Sequence, residues 1–255
     1  MDGNSIMNTP EITNTIKVHS IETFGTHDGP GIRLVVFVQG CQFRCLYCQN
    51  PDTLELKGGT EYEIQELLNK ALRQKEFFGH NGGVTISGGE PLLQRHGLIP
   101  FFKELHYHGI HTCLDSNGRV LDTDAKELLA ETDLLLLDVK HINNDWHKKL
   151  TSVENINTLN VAAYREETKK PMWLRYVLVP GWTDQEEYLH EWAKHFKDYK
   201  MVERVEIIPF HQMGKHKWEL LNMKYELSET ETPSEELLQK TKAIFSLYLN
   251  NVQIK

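Results

Sequence analysis

The chain has 255 residues, with 28 Lys and Arg against 36 Asp and Glu, a formal net charge of −8 and 40% hydrophobic content. That balance excludes a general nucleic-acid binder, whose affinity would rest on neutralising phosphates, and the length suits one large α/β domain. No apolar run approaches the roughly 20 residues that a bilayer span needs, and four cysteines with three of them clustered do not make a secreted disulfide framework, so a soluble protein of a reducing cytoplasm is expected.

Residues 1–15 are polar and lack the basic and apolar regions of a signal peptide, which predicts a flexible arm ahead of a single domain over 16–255. Beyond it, strand-like runs alternate with helix-like runs, the pattern of a parallel sheet covered by helices. Residues 17–23 read as a short edge hairpin. Six main strands are predicted over 32–39, 84–87, 110–116, 134–140, 172–179 and 204–209, and helices over 60–78, 92–108, 123–131, 155–168, 184–196 and 234–249. Six βα units are too few for an eight-stranded closed barrel, and in any such sheet the chemistry belongs at the C-terminal strand ends and the loops after them.

Ahead of the first main strand, the stretch from Glu22 to Arg33 (ETFGTHDGPGIR) reads by itself as a Gly/Pro turn. After that strand come Cys41, Cys45 and Cys48, spaced so that a short loop can turn three soft thiolates toward one point. A closed iron–sulfur cluster takes four cysteines and a structural zinc four ligands, so three thiolates would leave one iron of a [4Fe–4S] cluster open. The alternatives are a zinc completed by Cys113 or a histidine, and a redox disulfide of the Cys45/Cys48 pair. Tyr47, between two of the cysteines, is either an apolar plug or a ligand contact.

After the second main strand, Ser87-Gly88-Gly89-Glu90-Pro91 has two glycines that permit positive φ and close approach of backbone to a ligand, and a proline suited to a helix start. Alone it is a routine βα turn. Asp115-Ser116-Asn117-Gly118 reads as a helix-capping turn. Leu134, Leu136, Asp138 and Lys140 share one strand face, so two charges end an otherwise apolar inward row. An inward charge is costly unless paired or used, which leaves mutual pairing or ligand contact. Arg175 and His211 fall at the same mouth, while His106, His108 and His111 stand near a helix end and read as structural.

Together the CxxxCxxC loop and Gly88-Gly89-Glu90 resemble the cluster and "GGE" motifs of the radical S-adenosylmethionine (radical SAM) enzymes. The Asp28-Gly29-Pro30-Gly31-Ile32-Arg33 segment, with His111 to Asp115, Trp173 to Trp182 and Gly214 to Trp218, is similar to the activating enzymes of glycyl-radical enzymes, from about Val18 to the end of the chain. The resemblance implies a single-domain partial (β/α)6 barrel. It also implies a [4Fe–4S] cluster on Cys41, Cys45 and Cys48 whose open iron is chelated by SAM. Tyr47, Cys48 and Gln49 would lie along the adenine and Gly88, Gly89 and Glu90 at the SAM amino group. Asp138 and Lys140 would meet the carboxylate and ribose, and Asp115, Val139, Arg175 and His211 would complete the set, with Lys140 joining the cysteines as catalytic. Asp28, Gly29, Gly31 and Arg33 would receive, beside the barrel mouth, the glycine loop of a protein substrate, pyruvate formate-lyase. Its glycine would lose a hydrogen to the 5′-deoxyadenosyl radical that forms when SAM is cleaved to methionine. The family commonly has histidine where Gln49 stands, which argues against proton transfer there. With no cysteine between Gln49 and Gly83 and only Cys113 beyond, a second cluster lacks ligands, so an external one-electron donor such as flavodoxin is expected.

Overall fold

The computed structural model describes residues 14–255, so the predicted arm falls almost wholly outside the described residues. Its last two residues belong to the fold, because the Asn14 carbonyl accepts the Ile64 N–H at 2.9 Å and Thr15 opens the first strand. The elements run β1 (Thr15–Gly25), β2 (Arg33–Val38), β3 (Thr60–Glu63), α1 (Ile64–Phe78), β4 (Gly83–Gly88), α2 (Arg95–Tyr107), β5 (His111–Ser116), α3 (Thr123–Ala130) and β6 (Leu134–Asp138). There follow α4 (Asn144–Thr151), α5 (Ile156–Glu167), β7 (Met172–Leu178), α6 (Glu186–Phe196), β8 (Val202–Pro209), α7 (Lys215–Leu220), α8 (Glu235–Ser246) and β9 (Val252–Ile254).

One sheet holds every described strand, in the order β3-β1-β2-β4-β5-β6-β7-β8-β9. The six predicted strands are its continuous parallel centre, and the α/β expectation of a partial barrel with open edges holds. Three details differ. The segment at 17–23 is a full eleven-residue strand that pairs with β2 and β3 and is not itself the edge. The edge on that side is β3, whose Thr-Glu-Tyr-Glu lies inside the helix expected over 60–78. That helix begins at Ile64, where Glu63 and Glu66 form a capping box that satisfies two backbone amides at its start. The short α4, α7 and β9 also escaped prediction.

Period-two alternation divides the strands between two environments. Leu34, Val36, Val38, Ile86, Leu114, Leu135, Leu137, Leu174 and Ile207 point outward into one continuous core beneath the helices. Inward, Cys113, Leu134, Leu136 and Trp173 form a small separate apolar layer. One step further along the same strand faces stand Asp115, Asp138, Arg175 and Glu206, so the interior turns from apolar to charged toward the C-terminal ends.

Trp192 of α6 ties the outer layer together. It is fully buried, stacks on Phe245 of α8 at 4.7 Å, meets Tyr176 of β7 at 5.4 Å, and donates its indole N–H to the Val139 carbonyl at 3.0 Å. Replacing it by alanine leaves a large cavity and an unbonded carbonyl beside the site strand. Trp192→Ala is expected to lower the unfolding free energy by about 3–5 kcal/mol, read from the urea midpoint.

Candidate active site

The cysteine loop leaves the top of β2 and is fastened from three sides. Gly40 and Cys41 donate to the Thr53 and Leu54 carbonyls at 2.8 and 3.2 Å. Arg44 and Leu46 donate to the Thr151 and Leu150 carbonyls of α4, at 2.8 and 3.0 Å, so a helix missed in the sequence forms one wall of the loop. On the third side Trp218 of α7 donates its indole N–H to the Cys48 carbonyl at 2.9 Å. Lys217 reaches Asn50 at 2.9 Å and Asp52 at 3.1 Å.

Gln49 completes that third fastening. Its amide donates to the His211 and Tyr47 carbonyls at 3.0 and 3.2 Å, and its oxygen accepts the Gly214 N–H at 2.7 Å. The carboxamide is thus spent on backbone, locking the loop after β8 onto the cysteine loop, and a neutral amide in that role moves no proton.

Cys41, Cys45, Tyr47, Cys48 and Gln49 share one cavity of about 290 Å³ with Gly88, Gly89, Asp115, Asp138, Lys140, Arg175 and His211. The whole set comes from the ends of six strands, β2 and β4 to β8. Gly89 is shaped by contact: a Cβ there would stand 2.2 Å from the Gly40 carbonyl oxygen, so the strand end can lie against the cysteine loop only as glycine.

Two expected contacts fall elsewhere. The Glu90 side chain does not line the cavity. It is fully buried and accepts from Leu92 N–H at 2.9 Å, Ser116 Oγ at 2.7 Å and Asn117 N–H at 2.8 Å, so it buckles the end of β4 to the end of β5. Val139 points outward into the main core, its N–H donated to the Arg175 carbonyl and its carbonyl bound by Trp192. Nor does Asp115 to Gly118 cap a helix, since Asp122 caps α3. Asn117 instead lines the cavity with its amide 3.6 Å from Cys41 Sγ, a contact that a polar run in the sequence could only hint at.

The charges inside are paired. Lys140 Nζ lies 2.9 Å from Asp138 and 5.5 Å from the centre of the Tyr47 ring. Arg175 lies 2.8 Å from Asp115, 3.9 Å from Asp138 and 3.8 Å from Glu206. Burial alone would raise Asp138, but Lys140 and Arg175 outweigh it and hold the carboxyl below its usual value. The two readings of Asp138 and Lys140 therefore coexist: they pair, and both face the cavity.

Burial pushes the thiols of Cys41 and Cys45 up to about 12 and that of Cys48 up to about 11, so as thiolates they need a compensating cation. Among the described residues no three His, Cys, Asp or Glu side chains converge closely enough to hold a single metal ion. Three thiols ringing a cavity fit an iron–sulfur cluster, whose cysteines each bind a separate iron, better than they fit zinc. Tyr47 lines the cavity, and its hydroxyl is buried without a hydrogen-bond partner. Cys113 lies apart in the apolar layer of the interior, fully buried.

The segment at 28–31 is not beside the mouth. It precedes β2 at the opposite end of the sheet and turns inward: Thr85 Oγ1 donates to the Asp28 carbonyl at 2.6 Å, and a Cβ on Gly29, at φ +119°, would meet Cys113 Sγ at 2.9 Å. Burial, then the charge of Asp115, push the Asp28 carboxyl up. Arg33 is no surface contact. Fully buried, it spends its guanidinium on Thr85 Oγ1 and on the carbonyls of Pro30 at 2.9 Å and Val84 at 2.8 Å, bolting the turn from below.

Residues 35–193 match the family model described as the radical SAM superfamily. The chain is 45% identical over 230 residues to the pyruvate formate-lyase-activating enzyme of Staphylococcus aureus (strain USA300), covering 87% of this chain and 92% of that one. Among solved structures it is similar to a domain of pyruvate-formate lyase-activating enzyme from Bacteroides vulgatus ATCC 8482, at TM-score 0.58 and 26% identity over 68% of this chain and 99% of that one. In fold alone it is similar to Streptococcus suis SuiB bound to precursor peptide SuiA, at TM-score 0.68 and 17% identity over 92% of this chain and 50% of that one.

Glu90 yields a pH test. Burial moves it from 4.5 up to about 7. Between those values the folded chain holds a proton that the unfolded chain has lost, so this group's stabilisation is complete below pH about 4.5 and disappears as pH rises through about 7. Urea midpoints measured across that window should fall less steeply with rising pH in Glu90→Gln than in the wild type.

Proposed function

Since the chain belongs to the radical SAM superfamily and, within it, to the pyruvate formate-lyase-activating enzymes, we propose that it generates a glycyl radical on pyruvate formate-lyase. It is a radical SAM enzyme, and its cofactors are a [4Fe–4S] cluster and SAM. When bound, the reduced cluster supplies the electron that cleaves SAM to methionine and the 5′-deoxyadenosyl radical that takes hydrogen from the glycine. The observation that carries the assignment of residues is the single cavity shared by three thiols, a glycine turn and a paired acid–base set.

In this reading Cys41, Cys45 and Cys48 hold the cluster. Gly88 and Gly89 give the SAM amino group a backbone edge without side-chain interference. Asp115, Asp138, Lys140 and Arg175 orient the carboxylate and ribose by exchanging part of their mutual pairing for ligand contacts, which avoids uncovering a buried charge. Tyr47, Gln49 and His211 flank the adenine, with Gln49 acting through backbone. Asp28, Gly29 and Gly31 meet the substrate's glycine loop as the floor of the interior, and Arg33 fixes that floor. Residues 14–255 work as one unit. The family's chemistry needs a one-electron donor, and flavodoxin in the cytoplasm suits a chain with one cysteine beyond the cluster set. No helix among the described residues is long and apolar enough to cross a membrane.

Anaerobic incubation of reconstituted enzyme with reduced flavodoxin, SAM and pyruvate formate-lyase should give a glycyl-radical signal by electron paramagnetic resonance. SAM cleavage that never yields the signal would overturn the protein-substrate reading.

Cysteine variants separate ligands from bystanders: Cys45→Ala should lose its iron, Cys113→Ala should retain it. Asp28→Ala is expected to lower the radical yield.

A further inference from the structure

The curved sheet leaves a seam between β9 and the turn after β1, and one side chain spans it. Lys255, just past β9, donates its main-chain N–H to the Ile207 carbonyl at 3.0 Å. Its ammonium lies 3.2 Å from the Glu206 carboxylate and also donates to the His27 carbonyl. His27 immediately precedes Asp28. The other bonds to this turn come from its far side, from Thr85 to the Asp28 carbonyl at 2.6 Å and from Arg33 to the Pro30 carbonyl at 2.9 Å. Among the described residues Lys255 alone bonds the turn from the β8–β9 side.

The acceptor beneath the ammonium is unusual in its surroundings. Glu206 is only 4% exposed and faces Arg175 at 3.8 Å and Arg204 at 3.7 Å as well as Lys255. Lys255 is therefore held by a buried carboxylate, while its remaining hydrogen-bonding capacity goes to a main-chain carbonyl of the turn. An ammonium with three donors can serve both, and the bond to the carbonyl is charge-assisted. None of these contacts lies among the residues lining the cavity of the cysteine loop, apart from Arg175.

We propose that Lys255 is a positioning residue for the protein-substrate step, a strap that closes the seam and holds the turn at 27–31 in the geometry that receives the substrate's glycine loop. The proposal rests on the reading of Asp28, Gly29 and Gly31 as the receiving surface. Without the strap the turn is anchored on one side only and must be ordered anew each time a peptide binds, an entropic cost that appears in binding and not in the cleavage of SAM.

The test uses the reconstituted full chain and pyruvate formate-lyase. Lys255→Met keeps the aliphatic stem and removes the ammonium. It should raise KM for pyruvate formate-lyase roughly tenfold, as expected for one charge-assisted hydrogen bond. kcat at saturating protein substrate, iron content and SAM cleavage without protein substrate should stay near wild type. Lys255→Arg, which can still bridge carboxylate and carbonyl, should recover most of the affinity. An unchanged KM in Lys255→Met overturns the proposal, and so does a loss of iron or of SAM cleavage that parallels the loss of glycyl radical, which would mark a purely structural strap. Asp28→Ala measured alongside distinguishes the two levels. If Asp28→Ala raises KM and Lys255→Met does not, the receiving surface stands and the strap fails. An unchanged KM in Asp28→Ala overturns the receiving surface itself and with it the strap's role in binding.

Discussion

Arg175 is the residue around which the interior is arranged. A guanidinium inside a sheet is tolerable only if carboxylates meet it, and three strands supply them: Asp115 from β5, Asp138 from β6 and Glu206 from β8. Asp138 and Glu206 are the register partners of Arg175 on the two adjacent strands, and Asp115 reaches it from two strands away. Lys140 then shares Asp138, and Lys255 shares Glu206, so both ends of the network continue outward, one to the cavity and one to the seam.

Directly beneath this charged layer the same strand faces carry Cys113, Leu134, Leu136 and Trp173, which exclude water from the floor. Ion pairs next to such a layer are strengthened by the lower local dielectric. The interior is therefore preorganised, with few groups left to rearrange when a ligand arrives.

The central strands were legible because a parallel strand covered on both faces is a nearly unbroken apolar run, as in Leu34 to Val38 or Leu134 to Leu137. The cysteine loop was legible because its three thiols are close in sequence. Short amphipathic pieces were not: α4 has only Trp146 and Leu150 as large apolar residues, and β3 and β9 have four and three residues. Glu90 reads from sequence as a residue of the cavity and Arg33 as a contact beside the mouth, whereas both are buried clasps between neighbouring strands. Whether such a side chain faces the cavity or clasps a neighbouring strand depends on its partners across the sheet, and Ser116, Asn117, Thr85 and Val84 are 26 to 52 residues away from them. Gln49 was recognised as a departure from the family, while its grip on Gly214 depends on a partner 165 residues away.

The sheet order also bears on how the molecule is assembled. From β4 to β9 each strand is laid beside the one before it in sequence, so synthesis from the N-terminus can add βα units one at a time to an existing edge. The bridge between Lys255 and His27 is the opposite case, a contact across 228 residues that costs the most chain entropy and cannot form until β9 has emerged. A nascent chain can thus complete the cysteine loop while its seam is still open.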